Sequence, residues 1–156
     1  MNKTNAMRAL EVAGIPYTPY FYSVEGDDFS GIHIAEKVGL PPDIMFKTLV
    51  ARGERRGLLV FCLPVNLELD LKKCASAAGD KRVDLLPVKE LLPATGYLRG
   101  GCSPIGMKKK LPTWFDESAE LYEKITVSAG VRGCQLLLDR AQLLSFTEAS
   151  VCNLTV

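Results

Sequence analysis

The chain has 156 residues, 47% of them hydrophobic and 24% charged, with a net charge of +1. That length suits one soluble α+β domain with a sizeable core, expected to span 1–156. The near-neutral balance excludes a strongly basic protein that coats nucleic acid and leaves room for a local basic patch. No apolar run approaches the ~20 residues that cross a bilayer, and Met1-Asn2-Lys3-Thr4-Asn5 lacks the apolar core of a signal peptide. The expected location is therefore the cytoplasm. Five cysteines at 62, 74, 102, 134 and 152 show no zinc or thioredoxin spacing. They are expected to be reduced and mostly buried. With one histidine, His33, a histidine-rich metal site is excluded, and no metal or cofactor is expected.

Ala6, Met7, Leu10 and Ala13 recur at helical spacing, so a first helix runs over Thr4–Ala13 and stops at Gly14. Ile15 to Ser23 is aromatic and carries Pro16 and Pro19, which predicts an edge strand. Gly26-Asp27-Asp28 reads as a turn. Ser30 is placed to cap a helix through Lys37 that ends at Gly39. His33 falls on that helix, where a solvent-facing role suits it better than catalysis.

Pro41-Pro42-Asp43 leads into a strand over the second half of Ile44–Ala51. A polar connection at 52–57 joins it to a returning apolar strand, Leu58–Val65, whose composition predicts burial. Asp70 is placed to cap a helix through Ala78 that ends at Gly79. A short strand (Arg82–Leu86), one or two helical turns (Pro87–Leu92) and a strand over Thr113–Phe115 come next. The pattern then predicts a short helix from Ser118 to Leu121. Lys124–Ser128 and Gln135–Leu138 read as a strand pair, followed by a helix from Asp139 to Leu144 and a final strand over Ala149–Val156. Strands outnumber helices without regular alternation. This predicts α+β architecture: a mixed, mostly antiparallel sheet curled toward a barrel, with flanking helices.

The most informative stretch is Gly96 to Leu111. It holds four glycines, Pro104 and four cationic residues. Glycine lets a ligand approach the main chain closely, and successive N–H groups in such a turn form an anion-binding concavity. The run Lys108-Lys109-Lys110 adds positive charge. The alternative is a surface turn closed by a solvated charge run. A phosphate-loop NTPase is excluded, because no G-x-x-x-x-G-K-[ST] run occurs.

Three runs together resemble the YbaK/EbsC family, the prolyl-tRNA synthetase-associated editing domains. They are Phe46-Lys47-Thr48-Leu49, then Leu69 to Lys73 with Ala75 to Gly79, then Thr95-Gly96-Tyr97 through Gly100 to Gly106 and on to Pro112. Val127-Ser128-Ala129-Gly130 with Arg132-Gly133 is a fourth, weaker match. The order and spacing hold over nearly the whole chain, and the likeness is greatest to the free-standing branch that removes cysteine from tRNA(Pro). The resemblance implies an α+β editing domain that hydrolyses the ester at the 3′ acceptor end of a mischarged tRNA. Small side chains are hard for a synthetase pocket to separate, which is why such editing exists. Prolyl-tRNA synthetase is an implied partner; no membrane or DNA is.

Lys47 sits between apolar neighbours. Alone it reads more readily as a lysine whose stem lies along a strand face; the resemblance reverses this and makes it the required lysine. Gly100 and Gly101 are the expected close-approach positions, with loop N–H groups near the scissile carbonyl. Tyr22, Phe29, Thr48, Ser103, Ser128 and Gln135 are the implied substrate-binding residues. On a strand, Thr48 would point to the face opposite Lys47. The branch usually carries an aspartate where this chain has Gln135, so amino-acid preference is open at that position. Lys72, Lys73, Lys108, Lys109 and Lys110 are candidates for the tRNA backbone. Cys102 lies in the loop, but the family commonly has an aliphatic residue there, so it is read as packing. For this branch the resemblance implies substrate-assisted chemistry, in which the substrate's own thiolate attacks the ester. Two alternatives stand: a non-catalytic tRNA- or nucleotide-binding module, and a deacylase for another amino acid such as alanine.

Overall fold

Thr4 opens the first helix by accepting the Met7 N–H on its hydroxyl at 3.2 Å. The computed structural model describes residues 2–24 and 30–156. Phe29, Asp27 and Asp28 lie outside them. Helix α1 (Asn5–Val12) buries Ala6, Met7 and Leu10 on one face. Strand β1 (Tyr17–Phe21) follows, then α2 (Gly31–Val38), which ends at Gly39 in the left-handed conformation. A 3₁₀ turn at Pro42–Ile44 leads into the hairpin of β2 (Phe46–Gly53) and β3 (Gly57–Pro64). Helix α3 (Leu71–Ala78) is capped by Asp70, whose carboxylate accepts the Lys72 and Lys73 N–H groups. Next come β4 (Val83–Leu85), α4 (Val88–Thr95), β5 (Thr113–Asp116) and a 3₁₀ turn at Glu117–Leu121. The chain closes with β6 (Lys124–Ser128), β7 (Cys134–Asp139), α5 (Arg140–Thr147) and β8 (Ser150–Cys152).

These strands form two sheets. One is antiparallel, in the order β1-β7-β6; the other is mixed, in the order β4-β2-β3-β5-β8. β1 is an edge strand, in keeping with Pro19 inside it and Pro16 just before it. A parallel bridge between Met45 and Thr126 ties β6 to the start of β2, and the sheets do not close into a barrel. α4 runs past Leu92, through Pro93, to Thr95. The Thr95 hydroxyl bonds the Leu91 carbonyl at 2.8 Å, and the Gly96 N–H reaches the Leu92 carbonyl at 2.8 Å. α5 likewise extends to Thr147.

Strand periodicity divides the core. Phe46 and Val50 of β2, Val60 and Cys62 of β3, and Phe115 of β5 face Ile125, Val127, Leu136 and Leu138 of the other sheet, with α1 packed alongside. On the opposite face, Ala51, Leu59, Phe61 and Trp114 pack against Cys74, Ala75 and Ala78 of α3. Each fully buried aliphatic or aromatic side chain contributes about 1.5–3 kcal/mol. β3 buries residues on both faces, which fixes it in the middle of its sheet. A third cluster joins Ile34 and Ala35 of α2 to Met45 and Val65. Among the described residues, no helix is long and apolar enough to cross a membrane.

Asp116 is buried at 2% exposure. Its carboxylate accepts the Ser118 N–H at 3.1 Å and the Leu154 N–H at 3.0 Å, joining the end of β5 to the C-terminal segment. Asp116→Ala leaves both donors without an acceptor and should cost about 2–3 kcal/mol. Asp116→Asn, which keeps one oxygen, should cost less. Urea denaturation midpoints of the two variants check this.

Candidate functional site

The main-chain groups of an antiparallel strand alternate between its two edges. On the β3 side of β2, the Val65 N–H donates to Met45 O at 2.8 Å; on the other edge the Leu86 N–H donates to Val50 O at 2.9 Å. Stepping in twos, Phe46, Thr48 and Val50 turn their N–H and C=O groups away from β3. β4 covers that edge at Ala51–Gly53, and the bridge to Thr126 covers it at Met45. The edge between them, centred on Thr48, has no strand beside it and borders a cavity of about 570 Å³.

Because the cavity wraps a free edge, it takes side chains from both faces of β2. Lys47 and Leu49 enter it on one side, Thr48 and Val50 on the other. The Thr48 hydroxyl lies 3.6 Å from the buried Cys62 sulfur. Leu85, Leu86, Val88 and Leu91 form an apolar wall, Ser30 and Gly31 at the start of α2 another part, and Arg99, Gly100 and Cys102 the glycine-loop side. Ser128 and Gln135 also line it, each 6% exposed. Gly31 is demanded by packing, since a Cβ there would stand 2.4 Å from the Val65 side chain.

The glycine loop is held from within and from a neighbouring turn. The Tyr97 hydroxyl donates to the Ile105 carbonyl. Ser103 is fully buried and its hydroxyl accepts the Ile105 N–H at 3.2 Å. Arg132 Nε donates to the Arg99 carbonyl at 2.8 Å. A Cβ on Gly101 would meet the Val131 and Arg132 backbone at 3.0–3.2 Å, so glycine at 101 lets the two loops touch. The Gly101 N–H is taken up by the Leu98 carbonyl at 3.0 Å. Of the glycine pair it is Gly100, with φ +87°, that lines the cavity.

The structure thus brings Lys47, Thr48, Gly100, Ser128 and Gln135 into one cavity. Ser103 and Gly101 stand behind its wall. Tyr22 packs beside Met45, and Phe29 is outside the described residues. The expected tRNA-backbone lysines do not gather at the cavity. Lys72 and Lys73 lie on α3, with Lys73 Nζ donating to Thr155 O at 2.6 Å. Lys109 and Lys110 border a smaller hollow near Phe146, and Lys110 pairs with Glu148. Sequence reasoning missed Arg99, a second cation in the cavity wall, whose signal was its place directly before Gly100. It also missed Arg132 as the clamp on that loop.

Burial lowers the pKa of Lys47 from its usual value, and Glu68 opposes the shift. Burial pushes the Cys102 thiol up to about 12 and the Cys62 thiol higher still. Both thiols are therefore protonated and unreactive at neutral pH. Among the described residues, no group of three or more His, Cys, Asp or Glu is arranged to hold a metal ion. What the cavity offers is an ammonium, a guanidinium, glycine-loop backbone and a strand edge within apolar walls. Such a site can fix an anionic group and stabilise an oxyanion.

Because the charged form of Lys47 is penalised on folding, that penalty is full at neutral pH. It is lost as pH rises from the lowered native value toward 10.5. Lys47→Met should therefore raise stability at pH 7 by on the order of 0.5–1 kcal/mol. The gain over wild type should shrink near pH 10.5. Urea titrations at the two pH values test this sign.

Comparison with known proteins gives the family and the fold. The model for the aminoacyl-tRNA editing domain matches residues 32–146. A protein of Enterococcus faecalis (strain ATCC 700802 / V583), EbsC, described as a candidate Cys-tRNA(Pro)/Cys-tRNA(Cys) deacylase, is 46% identical over 98% of this chain and 93% of its own length. A crystal structure of a candidate trans-editing enzyme for prolyl tRNA synthetase has a TM-score of 0.83 at 25% identity, covering 100% of this chain and 99% of that one. The hypothetical protein APE2540 shares the fold, with a TM-score of 0.87 at 18% identity over 98% of this chain and 100% of that one. β2 and the glycine loop lie within the matched span, and the chain belongs to the aminoacyl-tRNA editing domain family.

Proposed function

We propose that the protein is a trans-editing deacylase that removes cysteine esterified to the 3′ end of tRNA(Pro). The observation that carries this reading is Lys47, half-buried on the free edge of β2, in one cavity with Gly100 and, among the described residues, with no histidine on its wall. The Cys102 thiol is held protonated, and His33 is not among the residues lining the cavity. Attack by the substrate's own sulfur fits a site of this kind. The thiolate forms a bond to the ester carbonyl carbon, the bond to the ribose oxygen breaks, and that oxygen takes up a proton. Water then opens the cyclic thioester and frees cysteine. The protein's part is to position the ester and stabilise negative charge. Lys47 holds the terminal phosphate or orients the ester, with Arg99 as a second cation. Thr48 and Ser128 border the bound aminoacyl group, and Gly100 presents backbone to the oxyanion. The EbsC relative supports cysteine as the amino acid. The likeness to a trans-editing structure supports tRNA(Pro) and a meeting with its synthetase. Such a substrate places the protein in the cytoplasm.

The test is hydrolysis of Cys-, Ser- and Ala-tRNA(Pro) by wild type and Lys47→Ala. Rapid loss of the cysteinyl ester alone is expected, with at least about a 100-fold loss in the variant, in the range for removal of one transition-state electrostatic contact. Equal turnover of seryl and cysteinyl esters would rule out attack by the substrate thiol.

We also assign Lys108 and Lys109 to the tRNA backbone, since both extend the glycine loop beyond Arg99. Replacing each by alanine should reduce the slope of log affinity against log salt by roughly one. A filter-binding titration between low and moderate salt reads it, and an unchanged slope removes the pair from the contact.

A further inference from the structure

Helix α4 carries a wider apolar stripe than the core uses. Val88, Leu91, Leu92 and Thr95 recur at helical spacing and share one face. Leu91 packs against the core and Thr95 is buried. The outer members, Val88 and Leu92, stay in water. So do Leu85 at the end of β4 and Leu98, two residues past the Gly96 cap; these four side chains are 48–59% exposed. Leu85 and Val88 also line the cavity, and Leu98 directly precedes Arg99 of its wall. Single exposed leucines need no explanation, but several beside one cavity mark a binding surface.

The charges around this strip are positive. Lys89 follows Val88 in the chain, and Arg99 follows Leu98. The Lys108 side chain lies over Gly96, 3.4–3.9 Å from where a Cβ would stand. The Lys108 N–H donates to the Thr95 carbonyl at 3.1 Å, which fixes this residue at the end of α4. Lys89, Arg99 and Lys108 are exposed, and among the described residues none of them is in an ion pair. The carboxylates nearby are already taken: Glu90 of α4 pairs with Arg52 at 3.1 Å, and Asp84 of β4 with Arg82 at 2.9 Å.

An apolar strip rimmed by unpaired cations suits a polyanion that carries flat apolar groups, and single-stranded nucleic acid is such a ligand. A second copy of this chain, meeting the strip across a two-fold axis, would set the same cations against one another. The length also fits. α4 has 8 residues, so it is roughly 12 Å long. Two stacked nucleotides need about 3.4 Å each. We propose that the outer face of α4, with Leu98, binds the bases of the two cytidines that precede the terminal adenosine in the CCA end of tRNA, while Lys89, Arg99 and Lys108 hold their phosphates. This deepens the deacylase reading and rests on it. Every tRNA carries the same CCA end, so the strip supplies affinity for any tRNA and leaves discrimination between amino acids to the cavity.

The experiment follows cleavage of Cys-tRNA(Pro), of a cysteinyl ester of the CCA trinucleotide and of a cysteinyl ester of adenosine. The proteins are wild type, Leu92→Gln, Leu98→Gln and Lys89→Ala. The readout is the ratio of kcat/KM for the trinucleotide ester to that for the adenosine ester. Leu92 and Leu98 are about half exposed and do not line the cavity, and urea midpoints confirm that the variants fold. Leu98→Gln, outside the helix, answers the question if Leu92→Gln does not. Each leucine variant should lower the ratio roughly 3–10-fold through KM, the loss expected when part of one leucine's contact area is withdrawn. Lys89→Ala should flatten the slope of log kcat/KM against log salt for the trinucleotide by about 0.7, the value for one phosphate of a single strand. A disturbed cavity would slow both esters together and leave the ratio in place. A ratio unmoved in both leucine variants overturns the subsite. If the wild type sediments as a dimer that Leu92→Gln separates, with the ratio unmoved, a second copy covers the strip instead. A wild type that cleaves Cys-tRNA(Pro) but prefers the trinucleotide no more than adenosine also overturns the subsite and leaves the deacylase reading standing. One that leaves Cys-tRNA(Pro) intact overturns both.

Discussion

The site depends on one unfilled length of strand edge. β2 is paired along one side throughout by β3. Its other side is covered by β4 at one end and by a single bridge to β6 at the other. A continuous strand there would satisfy Thr48 and remove the cavity. The gap exists because β4 is only three residues long and because β6 belongs to a different sheet, running beside β2 just at Met45. Peptide groups left open at a sheet edge would invite pairing with another chain. Here they are enclosed by α4, the start of α2 and the glycine loop, so the open edge becomes the wall of a pocket.

The glycine loop is rigid for reasons lying outside its own sequence. Gly101 is pressed against the Val131–Arg132 backbone, and the Arg132 side chain holds the Arg99 carbonyl. The Tyr97 ring packs close to Gly130, where a Cβ would stand 2.9 Å from Cε1. Two turns, each with a glycine at positive φ, thus approach without side chains between them. A backbone fixed in this way has its dipoles aligned before the substrate arrives, which is the condition for electrostatic stabilisation to lower a barrier.

The charge arrangement follows from the same enclosure. Apolar walls from β4 and α4 desolvate Lys47 and weaken its charged form, at some cost to folding. Yet those walls also strengthen any contact it makes with an anion. The buried cysteines are held protonated by the same environment. Enclosure therefore raises the pKa of the protein's own thiols while it lowers that of Lys47.

Much of the fold was legible in the chain. Thr4, Asp70, Gly39 and Gly79 mark helix ends by local chemistry, and all stand at those ends. Pro19 marks an edge strand, and the run from Leu58 to Val65 marks a central one. These signals are local: capping, backbone dihedrals and strand periodicity depend on near neighbours. Lys47 was legible as a site residue only through the family resemblance, since alone it reads as a lysine whose stem lies along a strand face; the glycine loop stood out by its density of glycine and positive charge. What tertiary structure alone decided was the pairing of distant segments. That the strands form two sheets, that β2 has a free edge, and that Arg132 clamps Arg99 from 33 residues away depend on contacts between segments far apart in the chain. The same holds for Gly101, whose N–H is spent on Leu98, and for Gln135, whose amide oxygen accepts the Thr126 hydroxyl. A residue's type and spacing identify it as a donor; only its neighbours in space determine which partner receives the hydrogen bond.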